Sequence, residues 1–280
     1  MKIQYLGTGA AEGFPAIFCR CEACRKARQL KGRNVKTRSC SLINDKVLID
    51  LSPDIFMQSL KWNIDLSLIR DVVMTHSHGD HMDIFTIQQR DKAAATIMPD
   101  VKAEMDYLKF YGDETVGDIL KQELKTGEAE SSGRIRFRHI VPGEKFKIGT
   151  LTFTALRANH RANEECLIYA ITDGEKSMLY ANDTGILPEE TMAMIENLGI
   201  KFDLVSMDCA RGTLPGDSHM GINEDIRLKQ SLENFGCVSK NIKYVLNHYS
   251  HMCGLTPDEF QIIVENNGMN LAYDGMTVEI

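Results

Sequence analysis

Residues 75–81, THSHGDH, place three histidines and one aspartate within six positions, in a chain of 280 residues that has only eight histidines. The residues before them, 70–74 (RDVVM), predict a short buried strand. Gly79 allows the backbone to turn sharply after His78. The stretch therefore predicts a loop at a strand end that gathers metal-binding side chains.

The residue types in this loop suit a transition-metal site. Imidazole binds zinc, iron and manganese, and a carboxylate suits the harder ions of that set. His76 and His78 alternate with Ser77, so both can point the same way. Four ligands so close can serve two adjacent ions, with two ligands each. The alternative is a polar loop with chance histidines, but H-x-H-x-D-H arises by chance in only on the order of one chain in a thousand.

Composition narrows the class of protein. The chain is 43% apolar and 25% charged, with a formal net charge of −7. Its length allows one large domain or two small ones, and no composition shift divides it, so we predict a single domain over 1–280. Proteins that hold long nucleic acids usually carry a broad basic surface. The charge therefore disfavours such a partner and leaves room for a small phosphorylated substrate.

Hydropathy and the amino terminus predict a cytoplasmic protein. An apolar run of 18 residues is absent from the sequence, so we expect no membrane-spanning helix. The opening segment lacks the apolar core of a signal peptide, because Gly7 and Gly9 interrupt it. In the cytoplasm the eight cysteines should stay reduced, and clustered ones are better interpreted as metal ligands than as disulfides.

Strand and helix patterns alternate in both halves of the chain, which predicts sheets covered by helices. Residues 83–123 are predicted to be mainly helical, and residues 127–133 (GEAESSG) form a predicted loop. The last ten residues, 271–280, are predicted to close the chain as a hairpin.

A second cluster, FCRCEACRKAR, places cysteines at 19, 21 and 24. Three thiolates in one tight loop lack a fourth ligand, and a structural zinc site is closed and four-coordinate. The candidates for the fourth ligand are Cys40, Cys253 and His251. The alternative is a loop with free thiols.

The histidine loop resembles the signature of the metallo-β-lactamase superfamily. Three later stretches resemble the remaining ligand positions of that family in order and spacing: ALRANH (ending at His160), YANDTG (Asp183) and VLNHYS (His248). The resemblance implies an αββα four-layer sandwich of two mixed β-sheets flanked by helices, with a dinuclear metal site between the sheets. It also implies the ligand sets His76, His78 and His160 for one ion, Asp80, His81 and His248 for the other, with Asp183 as the bridge.

The opening LGTGAAEGFP, followed by the cysteine loop, resembles the phosphodiesterases of the bacterial carbon–phosphorus lyase pathway. This resemblance implies a structural zinc held by Cys19, Cys21, Cys24 and His251. It also implies hydrolysis of a small cyclic phosphate ester of a ribose or nucleotide, with two Zn²⁺ or Mn²⁺ ions in the active site. The mainly helical stretch at about 83–125 departs from that pattern and is predicted to be an insertion, which could form a lid, a pocket wall or a dimer contact.

Two residues are predicted to be catalytic, Asp80 and His219. Asp80 is the feature that favours a second metal. His219 lies just before a helix, where related phosphodiesterases and ribonucleases carry a non-ligand histidine, so the resemblance implies a general acid or a phosphate contact. Its alternative role is helix capping. Asp208 follows a strand and could hydrogen-bond a ligand histidine, whereas His139 is interpreted as a surface or core residue.

Rival functions stay open at this point. A ribonuclease of the tRNA 3′-processing type has a similar LGTG opening, but the acidic charge, the cysteine loop and the lack of a long basic arm oppose it. A β-lactam or thioester hydrolase is opposed by the phosphoesterase-like opening. A non-catalytic member resembling the pyrroloquinoline quinone biosynthesis protein is opposed by the complete ligand set. The predicted partner is a small phosphate ester, without long nucleic acid or membrane, and the sequence leaves room for a homodimer.

Overall fold

The computed structural model describes residues 1–91, 107–124 and 134–280. In these residues the strands form two seven-stranded sheets. The first has the order β14-β1-β2-β3-β4-β5-β6. Its strands are β1 (Lys2–Gly7), β2 (Cys40–Ile43), β3 (Val47–Ile49), β4 (Asp71–Val73), β5 (Leu108–Gly112), β6 (Ile135–His139) and β14 (Thr277–Glu279).

The second sheet has the order β13-β12-β11-β10-β9-β8-β7. Its strands are β7 (Lys145–Ile148), β8 (Leu151–Arg157), β9 (Leu167–Thr172), β10 (Ser177–Ala181), β11 (Phe202–Asp208), β12 (Val238–Asn247) and β13 (Asn270–Leu271). Both sheets mix parallel and antiparallel pairs.

Helices cover the outer faces of both sheets. The described helices are α1 (Glu22–Leu30), α2 (Ile55–Trp62), α3 (Ile84–Asp91), α4 (Glu114–Glu123), α5 (Glu189–Glu196), α6 (Ile222–Asn234) and α7 (Pro257–Asn266). Side chains of α2, α3 and α4 share a buried apolar cluster with the first sheet. Those of α1, α5, α6 and α7 share another with the second sheet. The predicted αββα four-layer sandwich is confirmed.

The apolar layer between the sheets fixes the strand that leads into the histidine loop. Val73 of β4 packs in one buried cluster with Phe153 and Tyr169 of the second sheet. The Tyr169 hydroxyl donates to the Met74 carbonyl at 2.6 Å, and the Leu167 N–H donates to the Thr75 carbonyl at 2.8 Å. The second sheet therefore holds the backbone just before His76.

The strand directions bring the predicted ligands to one edge. Strands β3 to β6 run parallel, and so do β10 to β12. The carboxyl ends of parallel neighbours lie at the same edge of a sheet, where ligands usually bind. The histidine loop follows β4, Asp183 follows β10, and His248 follows β12, so chain segments far apart in sequence meet there.

Two sequence predictions differ from the structure. The stretch 83–123 contains α3 and α4 but also β5, which pairs with β4 and β6 in the first sheet. The terminal hairpin is wrong, because β13 pairs with β12 whereas β14 pairs with β1 in the other sheet. The turn between them crosses from one sheet to the other, so the two strands cannot pair.

The predicted loop at 127–133 lies outside the described residues. Among the helices of the described ranges, none has the length and apolar character needed to cross a membrane.

Candidate active site

Seven predicted ligand residues converge at the edge between the sheets, in two groups that share Asp183. The first group comprises His76, His78, His160 and Asp183, and the second comprises Asp80, His81, Asp183 and His248. Within each group the candidate ligand atoms all lie within 4.8 Å of one another. The structure thus brings together the residues that the sequence predicts for each ion, and the ligand roles remain predictions.

The first group is open to solvent on one side. His76 Nε2 lies 2.9 Å from His78 Nδ1, and His160 Nε2 lies 3.2 Å from the same atom. Asp183 Oδ2 is 3.3 Å from His76 Nε2. His76 is buried whereas His78 and His160 are half-buried, so the exposed part of this group lies at these two histidines.

The second group is buried. His81 Nε2 lies 3.1 Å from Asp80 Oδ2 and 2.9 Å from Asp183 Oδ2. His248 Nε2 lies 3.5 Å from Asp183 Oδ2. One oxygen of Asp183 therefore lies close to ring nitrogens of both groups, so Asp183 could contribute to both candidate metal sites.

The outward ring nitrogens face acceptors, which favours the tautomer that leaves the inner nitrogens free to bind a metal. The hydrogen-bonded pairs are His76 Nδ1 with Thr75 Oγ1 at 3.0 Å, His81 Nδ1 with Asp50 Oδ2 at 2.7 Å, and His160 Nδ1 with the Ser218 carbonyl at 3.2 Å. His248 Nδ1 lies 3.2 Å from Asp208 Oδ2 without hydrogen-bond geometry.

Asp50 is a site residue that the sequence analysis missed. Its carboxylate accepts from the backbone N–H and hydroxyl of Thr75 and lies 2.7 Å from His81 Nδ1. It therefore fixes both ends of the histidine loop. The available signal was an aspartate at the end of the apolar strand VLI, the same pattern that marks Asp183.

Three residues of the site have left-handed backbone conformations. Asp50 has φ 64°, Asp183 has φ 55° and His248 has φ 62°. Residues other than glycine adopt this region uncommonly, and such strained positions cluster at functional sites. The surrounding contacts therefore hold these side chains in orientations that the local sequence alone disfavours.

The buried charges of the second group are strongly coupled. Burial opposes ionisation of Asp80, but His81 and His248 hold the pKa of its carboxyl well below the usual range. Burial also opposes protonation of His81, yet Asp80 and Asp50 raise its pKa well above the usual range. The carboxylates thus favour positive charge within the second group, supplied either by protons on the histidines or by a bound cation.

The donor set fits divalent metal ions. Within the described residues, His81 Nε2, His248 Nε2 and Asp183 Oδ1 are buried, and although ionisable groups lie within 3.5 Å of each atom, none of these contacts has hydrogen-bond geometry. Unsatisfied buried polar atoms are costly in a native structure. Imidazole and carboxylate donors suit zinc, manganese or iron, so bound ions would satisfy these atoms.

His219 lies beside the cluster. Its Nδ1 is 3.1 Å from Asp208 Oδ2 and 3.1 Å from Asp183 Oδ1, and its side chain is 20% exposed. Burial opposes its charge, but Asp208 and Asp183 raise the pKa of His219 to about 11. Asp208 is fully buried and also faces His248, as the sequence analysis suggested for a ligand histidine.

A buried carboxylate joins the two loops that carry His78 and His160. Glu164 accepts from the backbone N–H of Ser77 at 2.6 Å and from its hydroxyl at 3.0 Å. Arg161 Nη1 donates to the same carboxylate at 2.6 Å. Glu164 and Arg161 were not predicted from the sequence, because nothing local to either residue indicates contact with Ser77.

The cysteine loop forms a second candidate metal centre. Ligand atoms of Cys19, Cys21, Cys24 and His251 all lie within 4.8 Å of one another. Cys21 caps α1, so that Cys24 lies on its first turn. The backbone N–H of Cys21 donates to Cys19 Sγ and lowers the pKa of that thiol to about 7. Burial raises the pKa of the Cys24 thiol to about 12, so this cysteine would lose its proton on binding a metal. The set of three cysteines and one histidine is a donor set typical of structural zinc.

The structure distinguishes the three candidates for the fourth ligand of the cysteine loop. His251 lies with the three thiols, whereas Cys40 and Cys253 are buried outside this group, as are Cys166, Cys209 and Cys237. His139 is exposed at the end of β6, consistent with its interpretation as a surface residue.

Comparison with known proteins defines the family. A family model described as "Beta-lactamase superfamily domain" matches residues 45–245, and the chain belongs to this superfamily, whose members are mostly metal-dependent hydrolases. A solved structure described as a new diphosphatase from the PhnP family has a TM-score of 0.75 at 21% identity, covering 100% of this chain and 97% of that one. At that identity the likeness defines the metallo-β-lactamase fold.

Two curated relatives are similar in sequence. A protein of Porphyromonas gingivalis named octanoyltransferase is 26% identical over 284 aligned residues, which cover 99% of this chain and 51% of that protein. A ribonuclease Z of Lacticaseibacillus casei is 30% identical over 169 residues, 58% of this chain and 44% of that enzyme. The chain spans about half the length of these relatives, so their names do not by themselves assign its activity.

Proposed function

We propose that this chain is a metal-dependent phosphodiesterase that hydrolyses a small, preferably cyclic, phosphate ester. The observation that carries the proposal is the pair of ligand groups sharing Asp183, with His219 beside them and held by Asp208. The first part suits a two-ion site, and His219 would be a proton donor next to it. The substrate class draws further support from the likeness to the PhnP-family diphosphatase.

The residues that would hold the ions are His76, His78 and His160 for one, Asp80, His81 and His248 for the other, and Asp183 for both. When bound, two divalent ions, Zn²⁺ or Mn²⁺, lower the pKa of water and stabilise negative charge on phosphoryl oxygens. Asp80 supplies the carboxylate that makes the second group attractive to a cation, which is its catalytic contribution.

His219 is the proposed general acid. Asp208 accepts the hydrogen bond of Nδ1, so the other ring nitrogen, Nε2, can carry the proton that the leaving alkoxide needs. The partial exposure of His219 gives a substrate access to this side of the ring. Asp208 holds the orientation by also accepting from the backbone N–H groups of Ala210 and Met220.

The second candidate function is a ribonuclease, because the ribonuclease Z match covers 58% of the chain. Two observations favour a small ester instead. Strands β9 and β10, which lie between His160 and Asp183, are joined by a tight turn rather than by a long basic arm. The formal net charge of −7 also opposes a large polyanion.

The test is hydrolysis of bis-p-nitrophenyl phosphate and of 2′,3′-cyclic AMP by the full chain with added Mn²⁺ or Zn²⁺, with Asp80→Ala as the control. We expect turnover of both esters and its loss by about 100-fold or more in the variant, as expected when a metal-binding group is removed. Turnover of a tRNA precursor in the absence of small-ester hydrolysis would move the assignment to the ribonuclease. Inactivity on all three substrates with both ions bound would reject phosphodiester hydrolysis.

The proposal includes a structural zinc held by Cys19, Cys21, Cys24 and His251. Its role would be to tie the amino-terminal loop to the segment that carries His248. Metal analysis of the purified chain, together with the Cys21→Ser variant, tests this part separately.

A further inference from the structure

A cavity of about 540 Å³ lies beside the candidate active site and has no role in the mechanism above. It is bounded by the first turn of α4, by the ends of β6 and β8, and by the loop that follows His160. Its size is within the range of pockets that hold small organic ligands.

The cavity opens at the same edge of the fold as the metal-binding groups. Strands β4, β5 and β6 are parallel neighbours, so the histidine loop, the start of α4 and the end of β6 are adjacent. Arg161 directly follows His160 and lines the cavity. Glu164 lines it as well, and it contacts Ser77 between His76 and His78. Arg161 and Glu164 thus connect the wall of the cavity with the loops that carry His78 and His160.

The Arg161 guanidinium is anchored by Glu164 and has further N–H groups that can donate hydrogen bonds. The side chain of Glu164 is only 1% exposed, and Arg161 Nη1 donates to it at 2.6 Å. Within the described residues, the hydrogen bonds of Arg161 all use Nη1. Its side chain is 32% exposed. A guanidinium anchored through one nitrogen keeps its remaining N–H groups for a ligand.

The charges around the cavity indicate what kind of group it takes. The lining of the cavity includes two arginines, Arg157 and Arg161, and four acidic residues, Asp113, Glu114, Glu164 and Glu165. Arg157 is itself paired with Glu165 at 2.6 Å. The net charge of these groups is therefore negative, which disfavours a second phosphate. A hydroxyl both donates and accepts hydrogen bonds, so it can pair with either a guanidinium or a carboxylate of the lining.

We propose that this cavity is the subsite for the organic group of the ester, that this group is neutral and rich in hydroxyls, as a ribose or nucleoside is, and that Arg161 is its principal hydrogen-bond donor. The inference rests on the proposed phosphodiesterase function and adds to it a site and a specificity-determining residue. Glu164 acts through Arg161 as a positioning residue.

The test compares two esters that differ in hydroxyl content, using Arg161→Gln in the metal-loaded full chain. For 2′,3′-cyclic AMP, kcat/KM should fall about 10- to 100-fold, as expected when a hydrogen bond from a charged donor is lost. For bis-p-nitrophenyl phosphate, which has no hydroxyls, kcat/KM should fall clearly less, because this ester loses only the support that Arg161 gives to Glu164 and the histidine loop. An equal loss on both esters would mean damage to the metal site and would overturn the subsite.

A binding measurement gives a readout that does not depend on turnover. Titration calorimetry with adenosine on the metal-loaded chain should show binding by the wild type that is weakened about 10-fold or more in Arg161→Gln. Arg227→Gln is the matched control, because its side chain is 70% exposed and its contact with Glu224 spans 3.9 Å. Adenosine binding that Arg161→Gln leaves unchanged would overturn the proposal.

The preference for a neutral group has its own test. Addition of a 5′-phosphate to 2′,3′-cyclic AMP should lower kcat/KM, because the added charge meets a net negative cavity. A higher kcat/KM for the phosphorylated ester would overturn the assignment of a neutral group. Failure of every phosphodiester to react would instead reject the proposed function, so the two failures are distinguishable.

Discussion

Among single residues outside the ligand set, Asp208 is expected to have the largest effect on metal binding and catalysis. Its Oδ1 accepts from two backbone N–H groups, while its Oδ2 faces Nδ1 of both His219 and His248. One carboxylate therefore favours a proton on Nδ1 of the candidate acid, through a hydrogen bond, and of a candidate ligand, through its nearby charge. A carboxylate can do this because both of its oxygens accept, whereas an amide presents N–H groups on one side.

We expect Asp208→Asn to lower both metal affinity and kcat by about 10- to 100-fold. If the asparagine oxygen keeps the backbone contacts, its amino group faces the histidines and favours a proton on their Nε2, which blocks metal binding at His248. Metal titration and steady-state kinetics measure the two effects.

Asp203→Asn is the matched control for Asp208→Asn, since Asp203 is a buried aspartate on the same strand, β11, that pairs with Lys176. Wild-type metal affinity in Asp208→Asn would contradict the role of this carboxylate.

At the scale of elements, the amino-terminal loop and the end of β12 are joined in two ways. The candidate zinc site brings Cys19, Cys21 and Cys24 to His251. Main-chain hydrogen bonds also connect Tyr249 with Thr8 and Ala10, at 2.9 and 3.0 Å. Both connections lie within three residues after His248, so the loop supports the backbone that carries this candidate ligand.

We expect Cys21→Ser to remove the structural zinc and to lower active-site metal occupancy as well, because His248 loses one of its two supports. The main-chain bonds remain, so the fall in affinity should be about tenfold rather than complete. Metal content per chain, measured by mass spectrometry over a range of free zinc, checks both effects. Cys237→Ser, at a buried cysteine outside the cluster, is the control. Full active-site occupancy in Cys21→Ser would reject the support role.

The sequence predicted those site residues that lie close together in the chain or follow a recognisable spacing. His76, His78, Asp80 and His81 lie in one hexapeptide, and the cysteine spacing marks its own cluster. Asp50 and Glu164 were missed because their contacts are with the histidine loop, which is distant from both residues in the sequence. Strand β5 was missed for a related reason, since LKFYG is short and is specified by its two parallel neighbours.

At the scale of the whole molecule, a buried polar network joins the two sheets behind the site. Lys36 Nζ donates to the carbonyl of Ala272, which follows β13, and to the hydroxyl of Thr8, which follows β1. Asp274 accepts from Thr8 and from the N–H of Thr37, at 2.7 Å each. Elements from the beginning and the end of the chain thus meet around one buried ammonium group.

This network predicts a pH dependence of stability. Burial lowers the pKa of Lys36 to about 8, with Asp274 partly opposing the shift, whereas an unfolded lysine titrates near 10.4. Between these values the unfolded chain binds more protons than the folded one, so stability contributed by this group rises with pH. The cost of burying the charge is fully present below about pH 8, where it is roughly 3 kcal/mol.

Lys36→Met removes that titration. From pH 7.5 to pH 9.5 the free energy of unfolding of the wild type should therefore rise by about 2 kcal/mol relative to the variant. Other titrating groups affect both proteins alike and cancel in the difference, as does the constant loss of the bonds to Ala272 and Thr8. Urea unfolding at the two pH values measures it, and Lys201→Met, at an exposed lysine, should show no such difference. If the difference in the free energy of unfolding between wild type and variant stays constant with pH, Lys36 has the same pKa in the folded and unfolded chain. The buried network would then impose no energetic cost on the charge of Lys36.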